Sequence, residues 1–444
     1  MRLCGAVPSW QNKMIDTRKF LTSEIARIVM NGHEFRDACS LSDRINRLRC
    51  LAETVLKAEY RWFSTVENAV GPIEYQHVEP SLRAILESLT SPDLLEAAVE
   101  ELSVNAIPSV LTGHVLAANT PLLGWSSILR SIIVGTPSIV KLSSRKPDVM
   151  SQLLMRLLES EYTEAASTVS LIMWERSNAP LLDCLLNSCE TVAIYGNDET
   201  QRTITNRAPK ATKLLHYGNR LSISIVDPEI CSNSDYESIA SDVLLADQLG
   251  CLSCKYIFVR SSGENLTQFS KVLSRQLSAL SVKLPRLSRE LEGRAEIIEQ
   301  CQLASMSETH QAIVGRNADN AIVINHSKQL NFCSASRVVS VVPFESYRDL
   351  LPATRLLAGL VQGISTNAVA PVDFVQVRSV AIALEASWLC KIGHLQRPPL
   401  YWPDDGIPAF ASLTSSYNGS RSDLLVQSLL LQQPRSVPAN RYQP

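Results

Sequence analysis

The segment Asp247–Val259, DQLGCLSCKYIFV, holds the most reactive-looking side chain of this chain, Cys251. An apolar helical pattern runs into it, Gly250 offers the turn, and a buried strand is predicted from about Lys255. A cysteine in a tight helix-to-strand turn can face a cleft, and its own backbone N–H can face a developing oxyanion. That makes Cys251 a candidate nucleophile for acyl chemistry, with a small apolar residue closing a turn as the plain alternative. Cys251 and Cys254 also form a CxxC. A redox pair of that kind opens a helix after a strand, and a zinc half-site needs a second ligand pair; neither context is present. Asn119 stands at a predicted strand end before Pro121, where a turn residue is expected, and cations follow Lys141 in KLSSRK. Gly196 and Asn197 stand between a strand pattern and a helix pattern. A solvated basic loop and an ordinary N-cap are their plain readings.

The elements that must position these residues are legible as a pattern. Up to about Thr90 the apolar spacing is helical. From about Leu111, strand-like runs alternate with helical ones: VLTGHVLAA, LLGWSSILRSIIV closed by Gly135, PSIVKLSS, DVMSQLLMRLLESEY, TVSLIMW, LLDCLLNS, TVAIYGN and DETQRTITNRA. Alternation of this kind predicts an α/β fold with a doubly wound parallel sheet. A second α/β unit follows, with strands at LSISIVDP, KYIFVRSS, AIVINH and RVVSVVPF. Its first helix is predicted over DYESIASDVLLADQLG, ending at Gly250, and a later one is interrupted at Pro352. The expected division is a helical and cofactor-binding part over 1–217, a catalytic part over 218–412, and a poorly ordered tail over 413–444.

Composition narrows the function. Hydrophobic residues make up 45% of the chain and the formal net charge is −2, with no basic block, so nothing points to nucleic acid. The first twenty residues lack a signal peptide's apolar run, and no apolar stretch is long enough for a membrane span. Eleven scattered cysteines then read as reduced thiols of a cytoplasmic protein. No GxGxxG, P-loop, His-rich or Glu-x-x-His pattern occurs, so no metal site is expected.

Five stretches in order resemble the LuxC-type fatty acyl-CoA reductases, a branch of the aldehyde dehydrogenase superfamily. They are GHVLAANTPLLGWSSILRSIIVGTPSIVKLSSRKP, TVAIYGNDETQRTI, HYGNRLSISIV, DQLGCLSCKYIFV and LQRPPLYWPDDG, together covering about 110 to 410. The resemblance implies an aldehyde dehydrogenase-like fold and reduction of an acyl thioester to an aldehyde. It makes Cys251 the nucleophile and Asn119 an oxyanion donor. Lys141 becomes the ribose contact, and Gly196 and Asn197 approach the pyrophosphate. Three residues after Lys141 many relatives carry a glutamate for the ribose hydroxyl; here Ser144, Arg145 and Lys146 follow, which suits a 2′-phosphate and hence NADPH. His216 stands where hydrolytic members carry their water-activating glutamate, which fits reduction and leaves His216 as a candidate acid or base. The superfamily's other ribose glutamate would fall near Cys333, so that contact is expected to be lost. Cys254 stands where the family often has proline. An acyl-activating or carrier protein partner and a homo-oligomer are further implications. Two other functions stay open: an acyl-phosphate or γ-glutamyl-phosphate reductase, and a non-catalytic acyl-transfer subunit.

Overall fold

A computed structural model describes residues 17–102, 106–118, 122–145, 148–261, 264–287, 292–326, 330 and 336–415. Asn119, Lys146, Cys333 and the tail from 416 lie outside the described residues. The chain begins with five helices, α1 (Thr17–Ala38), α2 (Leu41–Lys57), α3 (Glu59–Val70), α4 (Pro72–Thr90) and α5 (Asp93–Glu101). Ser40 starts α2 with a reciprocal capping box to Asp43, the local reason the chain breaks and restarts there.

The alternating pattern then builds a first sheet. It runs β1 (Thr112–Val115), α6 (Leu123–Val134), β2 (Ser138–Leu142), α7 (Val149–Glu161), α8 (Thr163–Ala166), β3 (Val169–Met173), α9 (Ala179–Ser188), β4 (Thr191–Tyr195), α10 (Asp198–Arg207) and β5 (Lys213–Tyr217). The strand order is β3-β2-β1-β4-β5, and every pairing is parallel. Strands β1 and β4 are buried at every position, as a sheet covered on both faces requires. Gly135 caps α6 in the left-handed conformation at φ 82°, as its place after the apolar run predicts.

The second sheet begins with β6 (Leu221–Val226), α11 (Asn233–Leu244), β7 (Cys254–Arg260), α12 (Glu264–Lys283), α13 (Glu292–Ser305), β8 (His310–Val314) and β9 (Ala321–Asn325). It is completed by β10 (Val338–Phe344), α14 (Tyr347–Thr354), β11 (Val361–Thr366), α15 (Pro371–Ala383) and β12 (Trp388–Lys391). Its order is β12-β11-β6-β7-β10-β9-β8, parallel except for the edge pair β8 and β9. The doubly wound α/β fold is as the sequence implies. Strands β5, β8, β11 and β12 are additions to that reading. They are four to six residues long, and Gly363 interrupts the apolar run of β11.

One expectation needs correction. Helix α11 stops at Leu244, not at Gly250, and Gly250 is not left-handed; Ala246, Asp247 and Gln248 are, at φ 52°, 52° and 59°. The C-terminal segment is anchored as far as Leu413. Leu400, Phe410 and Leu413 are buried in the core of the first sheet, and Ser109 N–H donates to the Leu413 carbonyl at 3.0 Å. Arg130, buried on α6, donates to the carbonyls of Leu400 at 2.8 Å and Trp402 at 2.7 Å. The Glu101 carboxylate accepts from the backbone N–H groups of Ala409, Phe410 and Ala411 at 3.1, 2.6 and 3.0 Å.

Candidate active site

The site is built around the turn that ends α11. Three consecutive left-handed residues, none of them glycine, cost about 1–2 kcal/mol each and persist only where the surroundings over-determine them. Buried polar side chains do that here. Ala246 N–H donates to His77 Nδ1 at 3.1 Å, and His77 Nε2 donates to the Pro285 carbonyl at 2.8 Å. These two bonds require the neutral Nε2–H tautomer, and burial lowers the His77 pKa accordingly. The Asp247 carboxylate accepts from Arg337 Nε at 2.8 Å and Nη2 at 2.6 Å, and from Leu287 N–H at 2.7 Å. The Arg337 side chain is fully buried and that of Asp247 only 5% exposed, so this ion pair is out of water. Gln248 Nε2 donates to the carbonyls of Cys254 at 2.6 Å and Val338 at 2.9 Å, while its Oε1 accepts from Val338 N–H at 3.1 Å.

Cys251 leaves this turn partly exposed and unbridged. Its carbonyl accepts from Ser222 Oγ at 2.9 Å, and Ser222 Oγ accepts in turn from Gly363 N–H at 3.0 Å. Burial raises the thiol pKa well above its ordinary value, followed by the charges of Asp404 and then Asp405. The backbone N–H groups of Cys251 and Leu252 act in the opposite sense. A pair of N–H donors beside the sulfur is the arrangement that would also serve an oxyanion formed there. Cys254 is different: it is fully buried at the start of β7, 3.2 Å from Ser224 Oγ, and burial pushes its thiol up to about 12.

Asp404 and Asp405 were quoted in the sequence but given no role, and they belong to this site. Gln362 Nε2 donates to Asp404 Oδ1 at 2.5 Å. Asp405, left-handed at φ 55°, pairs with Arg220 at 3.0 Å and accepts from Gly218 N–H at 2.9 Å. Burial, then the charge of Asp405, pushes the Asp404 carboxyl up to about 7. Tyr195 and Tyr217, at the ends of β4 and β5, stack with centroids 4.3 Å apart. Burial raises both phenols, and Asp404 adds to it. The available signal was the acidic pair beside Trp402 and two tyrosines at strand ends, a pattern that burial alone turns into a site.

The remaining predicted residues lie at the carboxyl edge of the first sheet. Strand order reverses around β1, and such a switch point is where open parallel sheets bind ligands. Lys141 is the penultimate residue of β2, with its Nζ 5.9 Å from the Trp174 ring centroid, and burial lowers its pKa. Ser144 and Arg145 follow in a bend, with Arg145 exposed. Asn197 caps α10, its Oδ1 accepting from Thr200 N–H at 3.1 Å. Gly196 packs so closely that an added Cβ would meet the Thr200 side chain at 3.1 Å. His216 is on β5, with Nδ1 2.6 Å from Gln201 Oε1. Gln201 Nε2 donates to the Ile194 and Tyr217 carbonyls, so His216 Nδ1 is the donor and Nε2 keeps its lone pair. His216 is exposed where Tyr217 is buried, so the structure turns the histidine toward α10 and the tyrosine toward Asp404. Among the described residues no group of three or more His, Cys, Asp or Glu could hold a metal ion, and no helix is long and apolar enough to cross a membrane.

Two parallel-rich α/β units with a turn-borne cysteine define an aldehyde dehydrogenase-like protein. Solved structures bear out that fold. Succinic semialdehyde dehydrogenase from Streptococcus pyogenes, determined with NADP+, aligns with TM-score 0.62 at 13% identity over 86% of this chain and 87% of its own. Aldehyde dehydrogenase PutA from Anabaena variabilis aligns with TM-score 0.58 at 16% identity over 84% of each. The acyl-CoA reductase (LuxC) family profile matches residues 76–416, and the chain belongs to that family. Among curated relatives, long-chain acyl-protein thioester reductase 2 of Photobacterium leiognathi is 29% identical over 44% of this chain and 41% of its own length. The long-chain acyl-protein thioester reductase of Photorhabdus luminescens is 23% identical over 69% of this chain and 68% of its own. The match to the first of these thus spans less than half of that relative.

Proposed function

We propose that this protein reduces an acyl thioester to an aldehyde through a thioacyl intermediate on Cys251, with NADPH as the electron donor. The observation that carries the reading is the over-determined turn that delivers a partly exposed Cys251, with its own and the Leu252 N–H beside the sulfur, in a chain of the LuxC family. Cys251 attacks the thioester carbonyl, the new C–S bond forms, and the carrier thiol leaves. The nicotinamide, when bound, supplies hydride to the acyl carbon, and the aldehyde departs as the cysteine sulfur is released. Asn119 would add an oxyanion donor to the backbone pair.

For the cofactor, the fit rests on the switch-point edge of the first sheet. Lys141 would meet the ribose, and Ser144 with Arg145 a 2′-phosphate, since Ser144 stands where a glutamate would repel it. Gly196 and the Asn197-capped start of α10 would face the pyrophosphate, with Asp198 and Glu199 in the first turn setting how close it comes. His216, neutral and with Nε2 bare, is suited to accept a proton on that side. We take 1–217 as the helical and cofactor part and 218–412 as the catalytic part, the latter lending its last segment to the first core. The names of the relatives favour an acyl group delivered by a partner protein, beside acyl-CoA.

The test is oxidation of NADPH by purified protein with acyl-CoA of increasing chain length and with an acylated carrier protein, beside Cys251→Ala. Thioester-dependent turnover that vanishes in the variant is expected. Turnover surviving in the variant overturns the nucleophile; use of NADH in preference to NADPH overturns the cofactor assignment.

A further inference from the structure

Of the helices that precede the first sheet, α4 reaches the nucleophile turn from both sides. It is fixed in the first core by Val78, Leu82, Leu86 and Leu89, all buried. Beside that apolar face runs a polar stripe of His77, Ser81 and Ser88, whose spacing of four and then seven residues aligns them along the helix. His77 Nδ1 accepts from the N–H of Ala246, five residues before Cys251, at 3.1 Å. Ser81 Oγ donates to the Gln396 carbonyl at 2.6 Å, and Gln396 Nε2 donates at 3.0 Å to Oγ of Ser253, two residues after Cys251. Ser88 Oγ accepts from Leu400 N–H at 3.0 Å, which ties the same stripe to the C-terminal segment. Between the two grips, Ser253 N–H donates to the Gly250 carbonyl at 3.1 Å, so Cys251 and Leu252 are the central pair of a four-residue turn. A single hydrogen bond would leave that turn free to pivot. Two that bracket it, and that start about 6 Å apart on one rigid helix, define where its middle lies.

We propose that His77 and Ser81 are positioning residues of the acyl-transfer step, and that α4 through them sets the reach of the Cys251 sulfur toward the thioester carbonyl. Both act through the ends of the turn rather than on the reacting atoms. The His77 grip holds in one protonation state. With its proton on Nε2, which donates to the Pro285 carbonyl, the ring keeps a lone pair on Nδ1 for Ala246. A second proton would set N–H against N–H, so the grip opens when the ring is charged. Burial, the largest influence, disfavours the charged ring, as does Arg337 from before β10; the Pro285 carbonyl, Asp247 from the turn and Glu74 from α4 itself favour it. Burial prevails, so the His77 pKa lies below the ordinary histidine range. The grip is therefore whole at neutral pH and is lost as pH falls through that lowered value.

This inference rests on Cys251 being the nucleophile, and the experiment separates the two. Wild type, His77→Phe, His77→Asn, Ser81→Ala and Cys251→Ala are compared without nicotinamide, by the rate at which octanoyl-CoA acylates the protein, followed by mass spectrometry. Denaturant unfolding is measured beside it. His77→Phe keeps a ring and removes the acceptor; acylation should slow about 10²-fold, the loss that a misplacement of about 1 Å brings. His77→Asn offers an amide oxygen to Ala246 N–H and should bring the rate at neutral pH back to within severalfold of wild type. Ser81→Ala, which cuts the second grip, should slow acylation severalfold. The wild-type rate divided by the His77→Asn rate removes the ionisation of Cys251 from the comparison. That ratio should be constant near neutrality and drop below the ordinary histidine range, since only the histidine can gain a proton there. If His77→Phe loses stability yet acylates at the wild-type rate, His77 serves packing alone and the idea is sunk. An asparagine variant no faster than the phenylalanine one overturns it equally, as does a rate ratio that stays flat until wild type unfolds. If the phenylalanine variant does not fold, Ser81→Ala carries the test, and a rate equal to wild type refutes the two-sided grip. Acylation of Cys251→Ala at the wild-type rate would instead bring down the nucleophile assignment itself.

Discussion

The turn that presents Cys251 and the edge that would meet the cofactor are built on opposite principles. The turn is inside the protein: three left-handed residues held by His77, Arg337, Leu287 and Val338, from segments far apart in the chain. The edge is outside: Arg145 is exposed, and the Asn197 side chain bonds, among the described residues, within its own helix start. A covalent nucleophile must sit within a fraction of an ångström of its productive position, and redundancy in the scaffold secures that. A cofactor that enters and leaves each turnover needs a surface, and thin local capping is enough for it.

The largest effect that sharpens this contrast is expected from Arg337→Ala. It strands the Asp247 charge in the interior, and losing one partner of a buried pair costs about 3–5 kcal/mol. Denaturant unfolding measures the cost, and Cys251 alkylation in the folded protein should change with it; a loss under about 1 kcal/mol would deny that the turn is over-determined. Next, Ser144→Glu places a carboxylate where the proposed cofactor ribose would lie. The ratio of kcat/KM for NADPH over NADH should drop about tenfold, or ~1.4 kcal/mol, while Cys251 alkylation stays unchanged. A ratio that does not move would remove Ser144 from the cofactor edge. The smallest is Asn197→Ala, which deletes one cap and should cost about 1 kcal/mol of stability. A penalty as large as that of Arg337→Ala would erase the distinction between the two regions.

The sequence carried the fold well because periodicity reports burial: TVAIY and LSISIV read as strands and are strands. It misplaced the end of α11 because ADQL is a good helix former locally, and the left-handed run is imposed by partners as distant as His77 and Arg337. The turn before Cys251 was legible from Gly250 and the strand that follows, and resemblance ordered the segments around it. Asp404 was not, since an exposed-looking acidic pair beside tryptophan gains its character only when Gln362, Arg130 and two tyrosines close over it. Strands β11 and β12 escaped notice because a glycine and their brevity blur the two-residue period.

The segment from Leu400 to Ala411 is fastened on both sides. Arg130 and Glu101 hold it to the first core, while Gln362, Arg220 and Ser387 hold it to the second sheet, the last through the Trp402 indole N–H at 2.9 Å. A protein strapped in this way cannot breathe like a clamshell. Swinging the sheets apart would tear out a buried ion pair and an indole bond, so opening of that kind is opposed by the strap itself. Scattering profiles of the protein with and without NADPH should therefore superimpose.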